Sequence, residues 1–378
     1  MKIIKRVLSL GLVTVLAATA ATGCGSKTKN ADENTYVIGG IGPLTGESAS
    51  YGLSVKQGAE IAIKEINEAG GVTVGDKSMK LELKFEDDKA APDQAVTAYN
   101  TLMDDGMNAL LGCVTTGSCL TVVDLAKEDG ILMLTPSGSA ADITKNDNVF
   151  RLCFTDPLQG ETMAEHMVSD LGYKTVAVIY KNSDEYSTGV YKAFETKVAE
   201  LGGTVATVEA FADGEDFNTQ LTSIKGTNAE AIFAPVYYND AAHIATQAAD
   251  LGITMPFFGS DGWDGILDAV TDVSAIEGAE FLSPFFSGDE KAADFVSKYK
   301  EAYTATPDQF AADGYDGVYV FKAALEEAKT TESEAMIQAM TSIKVDGLTG
   351  TGISFTPQGE PQKSAKFITI RDGAYTAE

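Results

Sequence analysis

The sequence has very few of the residues that usually perform catalysis. Of its 378 residues only two are histidines, His166 and His243, and both lie in stretches of helical periodicity without partners at metal-ligand spacing. It contains no Gly-x-Ser-x-Gly elbow, no P-loop and no His-Glu-x-x-His motif. We therefore predict that the protein is not an enzyme, has no catalytic residue and needs no metal or cofactor. A secreted hydrolase is kept only as a remote alternative.

Basic residues are also scarce. The chain has 28 lysines and arginines against 55 acidic residues, a formal net charge of −27. Nucleic-acid binding needs basic surface that replaces counterions, so this function is excluded. The acidic residues are scattered among apolar ones, which predicts a folded chain instead of a disordered tail.

Cysteine is too rare for a disulfide framework. The four cysteines are Cys24, Cys113, Cys119 and Cys153, and no Cys-x-x-Cys pair suggests zinc. Cys113 and Cys119 would pair if a turn brought them together in an oxidising compartment. Buried free thiols are the equal alternative.

The N-terminus has the layout of a secretory leader. A basic head precedes the uncharged apolar run 7–20, which is shorter than the roughly 20 residues of a membrane span. Small residues then lead into Cys24, an order similar to the lipobox of bacterial lipoproteins, although Ala21 stands where leucine is usual. We predict a leader at 1–23, acylation of Cys24 and a polar tether at 24–34. A plain cleaved leader with an incidental cysteine is the alternative.

The rest of the chain alternates short apolar strands with longer amphipathic helices, which predicts an α/β fold with parallel sheets. Strands are predicted at 36–41, 81–85, 109–111, 131–134, 175–180, 205–211, 231–234, 256–259, 353–355 and 366–370. Helices are predicted at 51–68, 92–105, 120–129, 158–171, 189–201, 217–225, 240–251, 263–270, 291–303, 308–329 and 333–342. A single sheet would need about eight consecutive strands, so two lobes are favoured. The first crossing between them is expected at 150–157.

Polar residues follow three of the predicted strands. The segments 114–118 and 135–139 are rich in hydroxyls, and 259–263 carries the carboxylate of Asp261. Ligands of open α/β sheets bind at the carboxyl ends of strands, where helix N-termini present free N–H groups. Neutral donors suit an anion and the carboxylate suits a cation, so together they predict a site for a zwitterion. Helix capping explains each segment taken alone.

Several motifs resemble one known family. The segments 41–46, 49–52 and 65–71 are similar to the start of the branched-chain amino-acid-binding proteins of ABC importers. The resemblance continues in order through 87–88, 150–151, 156–160, 216–217 and 259–263. It covers nearly the whole chain beyond the leader.

The resemblance implies a type I periplasmic-binding fold, in which two doubly wound parallel-sheet lobes are joined by three hinge crossings. Residues 35–155 plus 284–356 would form the N-terminal lobe, and residues 156–283 plus 357–378 the C-terminal lobe. The cleft between the lobes would close over the ligand.

The family motifs also imply ligand-binding residues. Thr116 and Ser139 would bind the ligand carboxylate, and Ser139 would also reach the ammonium. Ser137 would offer its backbone carbonyl to the ammonium, and Asp261 would pair with it.

Aromatic residues would surround the ligand side chain. Tyr51 would line the pocket, while Tyr186 and Tyr237 would close over it from the second lobe. Trp263 would be a further lining residue, and Asp156 would support the binding residues from behind.

The function implied is capture of an amino acid, expected to be an aliphatic one, for an ABC importer permease. We expect a monomer that lies outside the cytoplasm, held on the outer face of the cell membrane by a lipid anchor. Three tyrosines would also suit a flat or larger solute, so an amide, a short peptide, an aromatic acid or a purine is the alternative.

Overall fold

The computed structural model of the protein describes residues 34–363 and 365–377. The predicted leader 1–23, the acylated Cys24 and most of the tether 24–34 therefore lie outside the described residues. Within the described ranges, no helix combines the length and apolarity needed to cross a membrane.

The first sheet has six strands in the order β2-β3-β1-β4-β5-β6. Its strands are β1 Thr35–Gly42, β2 Val72–Val74, β3 Lys77–Asp87, β4 Ala109–Gly112, β5 Leu132–Thr135 and β6 Val149–Arg151. All neighbouring pairs are parallel except β2 and β3, which form an antiparallel pair.

The second sheet has seven strands in the order β13-β12-β11-β10-β9-β7-β8. Its strands are β7 Thr175–Lys181, β8 Thr204–Phe211, β9 Ala231–Phe233, β10 Phe257–Phe258, β11 Glu280–Ser283, β12 Lys366–Arg371 and β13 Ala374–Ala377. The pairs from β8 to β11 are parallel, and β12 and β13 add an antiparallel edge.

Eleven α-helices in the described residues connect and cover the strands. They are α1 Ala49–Glu68, α2 Pro92–Asp104, α3 Thr116–Glu128, α4 Asp156–Glu165, α5 Glu185–Glu200, α6 Asn218–Lys225, α7 Tyr238–Asp250, α8 Ile266–Ala269, α9 Ala293–Tyr303, α10 Gln309–Ala328 and α11 Ser333–Met340. Buried apolar side chains of the strands and of the inner helix faces form the cores.

The chain crosses between the two sheets three times. It leaves the first sheet after β6 and returns after β11, where α10 packs against α1 and α11 against β5. A third passage leads from the bridges near Ile353 and Phe355 to β12 in the second sheet. The predicted architecture of two lobes with three crossings is confirmed, whereas the residue boundaries of the lobes stay a prediction.

The structure departs from the predicted elements in several short strands. Strands β2, β6, β11 and β13 were not predicted, because three or four residues carry too little periodicity to be distinguished from loops. The predicted strand 353–355 forms only isolated bridges. Helix α3 begins at Thr116 instead of residue 120, so its first turn contains Thr116 and Ser118 of the 114–118 segment, and Thr115 is its N-cap.

The three described cysteines are free thiols in the core. Cys113, Cys119 and Cys153 are all buried and unpaired by disulfides. The thiol of Cys119 donates to the backbone carbonyl of Cys113 at 2.9 Å. Of the two alternatives left open by the sequence, the structure has the buried free thiols.

Helices α1 and α10 approach each other closely at two glycines. A Cβ on Gly58 would lie 1.8 Å from the carbonyl oxygen of Ala311, and one on Gly314 would lie 2.1 Å from that of Val55. Both helices present backbone atoms there, which cannot move aside as side chains do. The contact therefore depends on the absence of side chains at these positions.

We expect Gly58→Ala to lower the free energy of unfolding by about 3 kcal/mol, since the added methyl forces two helix backbones apart. Urea unfolding measures the change. Gly317→Ala on α10 is the matched control, because its Cβ would meet movable leucine methyls instead of backbone, the nearest being that of Leu111 at 2.7 Å. A Gly58→Ala protein as stable as the wild type would contradict this account of the helix contact.

Candidate functional site

The hydroxyl-rich side of the site is built by the loops after β4 and β5. Thr116 is the first residue of α3, and its Oγ1 lies 3.2 Å from the Oγ of Ser139 and accepts from the Ser139 N–H at 3.1 Å. The hydroxyl of Ser137 donates to the Val114 carbonyl at 2.6 Å. Parallel β4 and β5 end at one edge, so the two hydroxyl segments meet as predicted.

The start of α3 adds backbone donors to this side. The first N–H groups of a helix have no intrahelical acceptor, and the N-cap residue Thr115 makes no side-chain capping bond. The helix dipole also favours negative charge there. This edge of the first sheet is therefore suited to a carboxylate.

The acidic side is built by the loop after β10. The Asp261 carboxylate accepts a hydrogen bond from the Tyr186 hydroxyl at 2.8 Å, and the Gly262 N–H donates to that hydroxyl at 2.9 Å. The ring of Tyr186 is stacked on Tyr237, with centroids 4.9 Å apart and planes 4° apart. Asp261, Tyr186 and Tyr237, three of the expected site residues, thus form one group.

Burial changes the chemistry of Asp261. The residue is 6% exposed, and loss of hydration raises the pKa of its carboxyl to about 6. The hydrogen bond that the Tyr186 hydroxyl donates to the carboxylate opposes this shift of the pKa. Near neutral pH the carboxyl is therefore ionised, and a cationic partner would strongly stabilise its buried negative charge.

Tyr51 joins the two sides. Its hydroxyl donates to the Gly262 carbonyl at 2.5 Å and accepts from the Tyr238 N–H at 3.0 Å, although Tyr51 belongs to α1 of the first lobe. Its ring lies 4.1 Å from Phe310 and meets Tyr237 edge-on at 5.6 Å. The lobes are in contact across the cleft in this structure.

Asp156 lies buried at the first crossing. It is 2% exposed, and its Oδ1 has no hydrogen-bond partner among the described residues. Burial raises the pKa of its carboxyl to about 8, and the nearby charge of Asp261 acts in the same direction. Its backbone N–H donates to the Ser139 carbonyl at 3.0 Å, which links it to the hydroxyl side.

Trp263 lies within the core of the second lobe. Its indole is 0% exposed, and its Nε1 donates to the Ala234 carbonyl at 2.7 Å, which ties the loop to the end of β9. The indole thereby supports the segment that carries Asp261.

Sequence reasoning missed several residues that hold the site together. The Ser260 hydroxyl lies 2.5 Å from that of Tyr186, and the Gln159 side chain accepts from the Asp261 N–H at 2.9 Å. Gln309 and Phe310, at the start of α10, reach the site from the first lobe. Gln159 belongs to a family motif and was therefore accessible from the sequence, whereas no sequence signal marks Gln309.

Outside this group the cleft opens into a cavity of about 790 Å³. Both lobes line it, with Lys89 and Thr115 from the first and Lys181, Asp184 and Tyr237 from the second. The cavity thus reaches Tyr237 of the group described above and the residues on either side of Thr116.

The arrangement can bind a small zwitterion. On one side, neutral donors and the N-terminus of α3 suit an anionic group. On the other side, the desolvated carboxylate of Asp261 suits a cation. The guanidinium of the buried Arg151 pairs with Glu360 at 3.0 Å and donates to the Gly138 carbonyl.

Within residues 34–363 and 365–377, no group of histidine, cysteine or acidic side chains has the arrangement of a metal site.

Comparison with known proteins gives consistent matches over the described fold. The model of a family described as periplasmic binding protein matches residues 35–374. The Leu/Ile/Val-binding protein homolog 3 of Brucella melitensis is 32% identical over 339 residues, which cover 87% of this chain and 88% of that protein.

Two solved structures are similar along the same length. A leucine-binding protein of Thermotoga maritima has a TM-score of 0.83 and 30% identity, covering 91% of this chain and 97% of its own. A branched-chain amino acid transporter substrate-binding protein of Streptococcus pneumoniae, solved with isoleucine, has a TM-score of 0.84 and 29% identity, covering 91% and 99%.

Asp156 should make stability depend on pH. Its pKa is about 8 in the folded chain and near 3.8 without burial, so between these values the folded chain holds a proton that the unfolded chain has released. The contribution of this group to the free energy of unfolding therefore falls as pH rises through that window.

Asp156→Asn has no carboxyl at this position and therefore lacks this loss of stability. We compare the free energy of unfolding of the variant with that of the wild type, and expect the difference to be on the order of 2 kcal/mol more favourable to the variant at about pH 7.5 than at about pH 4.5. Urea unfolding at both pH values is the measurement. The exposed Asp268→Asn serves as the matched control and should change stability equally at both. Equal effects of Asp156→Asn at the two pH values would refute the assignment.

Proposed function

The chain belongs to the periplasmic binding protein family, and on that premise we propose that it captures an amino acid outside the cytoplasm and delivers it to an ABC importer. The family resemblance and the type I fold expected from the sequence are thereby confirmed. A protein of this family binds a solute, so the chain acts by association and release instead of by chemical conversion.

The observation that carries the proposal is that one lobe presents hydrogen-bond donors suited to an anion and the other presents a carboxylate suited to a cation. Thr116 and Ser139 stand on the first lobe as donors for a carboxylate, and Asp261 stands on the second as the partner of an ammonium. The Ser137 carbonyl is assigned to the same ammonium. An α-amino acid carries both groups on one carbon, so a single ligand joins the two lobes.

Aromatic residues supply the rest of the ligand environment. Tyr51, Tyr186 and Tyr237 are assigned to the ligand side chain, and their rings already pack against one another. Trp263 and Asp156 are assigned supporting roles, the first beneath the Asp261 loop and the second behind Ser139.

An aliphatic amino acid is the proposed ligand. The Brucella relative is named for leucine, isoleucine and valine, the Thermotoga protein is named for leucine, and the Streptococcus protein was solved with isoleucine. Apolar ring faces around the site favour an uncharged side chain, because burying a further charge without a partner is costly.

Closure of the cleft is the proposed working motion. We assign 35–155 plus 284–356 to the lobe that binds the carboxylate, and 156–283 plus 357–378 to the lobe that binds the ammonium. Ligand held by both lobes favours the closed form, since it gains all its contacts only there. The closed form then docks on the permease, with the protein acting as a monomer.

We assign the location of the protein to the outer face of the cell membrane. The leader 1–23 directs export, acylated Cys24 anchors the chain, and the tether 24–34 lets the lobes move freely. Anchoring keeps captured solute close to the permease.

Calorimetry should show saturable binding of L-leucine, L-isoleucine or L-valine by the mature protein. Asp261→Asn keeps the size of the side chain but removes its charge, and we expect it to weaken binding by at least about tenfold. Asp268→Asn, which neutralises an exposed carboxylate in the same segment, is the matched control. Unchanged affinity in Asp261→Asn would exclude the assigned role.

A thermal-shift screen extends the same test to the ligand class. A ligand at 100 times its Kd stabilises the folded chain by about 2.7 kcal/mol. Stabilisation by amides, short peptides, aromatic acids or purines, with none by amino acids, would assign the protein to another solute.

For the anchor, we expect Cys24→Ala to move the protein from the membrane fraction to the soluble extracytoplasmic fraction, since the acylation site is lost. Cell fractionation with immunoblotting measures this. Ser26→Ala, two residues further along the tether, is the control and should remain in the membrane fraction. Persistence of Cys24→Ala in that fraction would contradict anchoring by acylation.

A further inference from the structure

Gln309 makes two hydrogen bonds from the first lobe to the loop that carries Asp261. It is the first residue of α10 and is 2% exposed. Its Nε2 donates to the Asp261 carbonyl at 2.6 Å, and its backbone N–H donates to Oδ2 of Asp264 at 2.9 Å. Because α10 packs against α1, these bonds pass from one lobe to the other.

The position of Gln309 is set by the first lobe. The preceding residue, Asp308, caps α10 by accepting from the Ala311 N–H at 2.8 Å. The other carboxylate oxygen of Asp308 accepts from the Ser54 hydroxyl of α1 at 2.7 Å. The start of α10, and with it Gln309, is therefore fixed on α1.

The other side-chain contacts of Asp261 come from the second lobe. Gln159 of α4 accepts from its N–H at 2.9 Å, and Tyr186 of α5 donates to its carboxylate. Within its own turn, the Asp261 carbonyl also accepts from the Asp264 N–H at 3.1 Å. Without Gln309 the turn would keep its shape but lose this connection to the first lobe.

A zwitterionic ligand makes that connection important. The ligand carboxylate is assigned to Thr116 and Ser139 on the first lobe, and its ammonium to Asp261 on the second. The two groups are a fixed distance apart in any α-amino acid, so both can be satisfied only if the Asp261 loop has one orientation relative to the first lobe.

We propose that Gln309 is a positioning residue, which aims the Asp261 carboxylate at the ligand ammonium when the lobes close, while Asp264 holds Gln309 in place. The inference rests on the proposed function and adds a specificity role to a residue that does not touch the ligand. It acts only through Asp261.

The test compares L-leucine with 4-methylpentanoate, which has the same carbon skeleton without the amino group. Gln309→Leu should weaken the binding of leucine by about tenfold, the effect of one lost buried hydrogen bond, and that of 4-methylpentanoate by less than about twofold. Calorimetry measures both. In an Asp261→Asn background, Gln309→Leu should change leucine affinity by less than about twofold, because the group that it positions is gone.

The matched control is Gln57→Leu on α1. Gln57 accepts from the Tyr299 hydroxyl of α9, so this variant makes the same chemical change in the same lobe away from Asp261. It should bind both ligands as the wild type does. Gln309→Met replaces Gln309→Leu if thermal unfolding shows that the leucine variant does not fold.

Two results would overturn the inference while leaving the proposed function intact. One is a Gln309→Leu protein that binds leucine with the affinity of the wild type. The other is an equal loss of affinity for leucine and 4-methylpentanoate, which would indicate general damage to the cleft. Failure of the wild type to bind any amino acid would instead contradict the proposed function, and the inference with it.

Discussion

The loop after β10 is the constraint on which the rest of the site depends. It carries a carboxylate that burial has stripped of water, and such a group binds a cation well only if its direction is fixed. Tyr186 fixes the carboxylate, while Gln159 and Gln309 fix the backbone on either side of Asp261. Trp263 anchors the loop from below to the end of β9. One short segment is thus held by its own lobe and by the opposite lobe, so the geometry of the site and the closure of the cleft cannot vary independently.

Two buried cationic side chains, those of Arg151 and Lys363, lie at the crossings, whereas Lys89 and Lys181 line the outer cavity. Arg151, next to the first crossing, pairs with Glu360 of the third. Lys363 pairs with the buried Asp313 of α10 at 3.4 Å and lies over the ring of Phe154. Removing one partner of a buried pair leaves an uncompensated charge, so loss of either partner would strongly destabilise the hinge. The hydroxyl side of the cleft offers the neutral donors Thr116 and Ser139 and the start of α3.

Much of this could be predicted because the relevant signals are local in the chain. The alternation of apolar runs and helical periods predicted the α/β class, and the polar segments at 114–118, 135–139 and 259–263 predicted the site. The first two segments meet because β4 and β5 are parallel and end at one edge of the first sheet, whereas 259–263 follows β10 of the second sheet. The strands β2, β6, β11 and β13 escaped prediction because three or four residues carry too little periodicity to be distinguished from loops. The early start of α3 was missed for a similar reason, since Thr116 and its neighbours look like a loop until the helix is packed.

The sequence by itself determined the class of fold and the family, because both rest on local pattern or on motifs in order along the chain. It also predicted a polar site with Thr116, Ser139, Tyr186 and Asp261. Only the tertiary structure decided that the cysteines stay unpaired, that Tyr51 bonds across the cleft and that Gln309 reaches Asp261. Gln309 and Asp261 are far apart in sequence, and nothing in the composition around either residue encodes the other. Their contact exists because α10 packs on α1 while the chain returns between lobes, and that packing is a property of the whole fold.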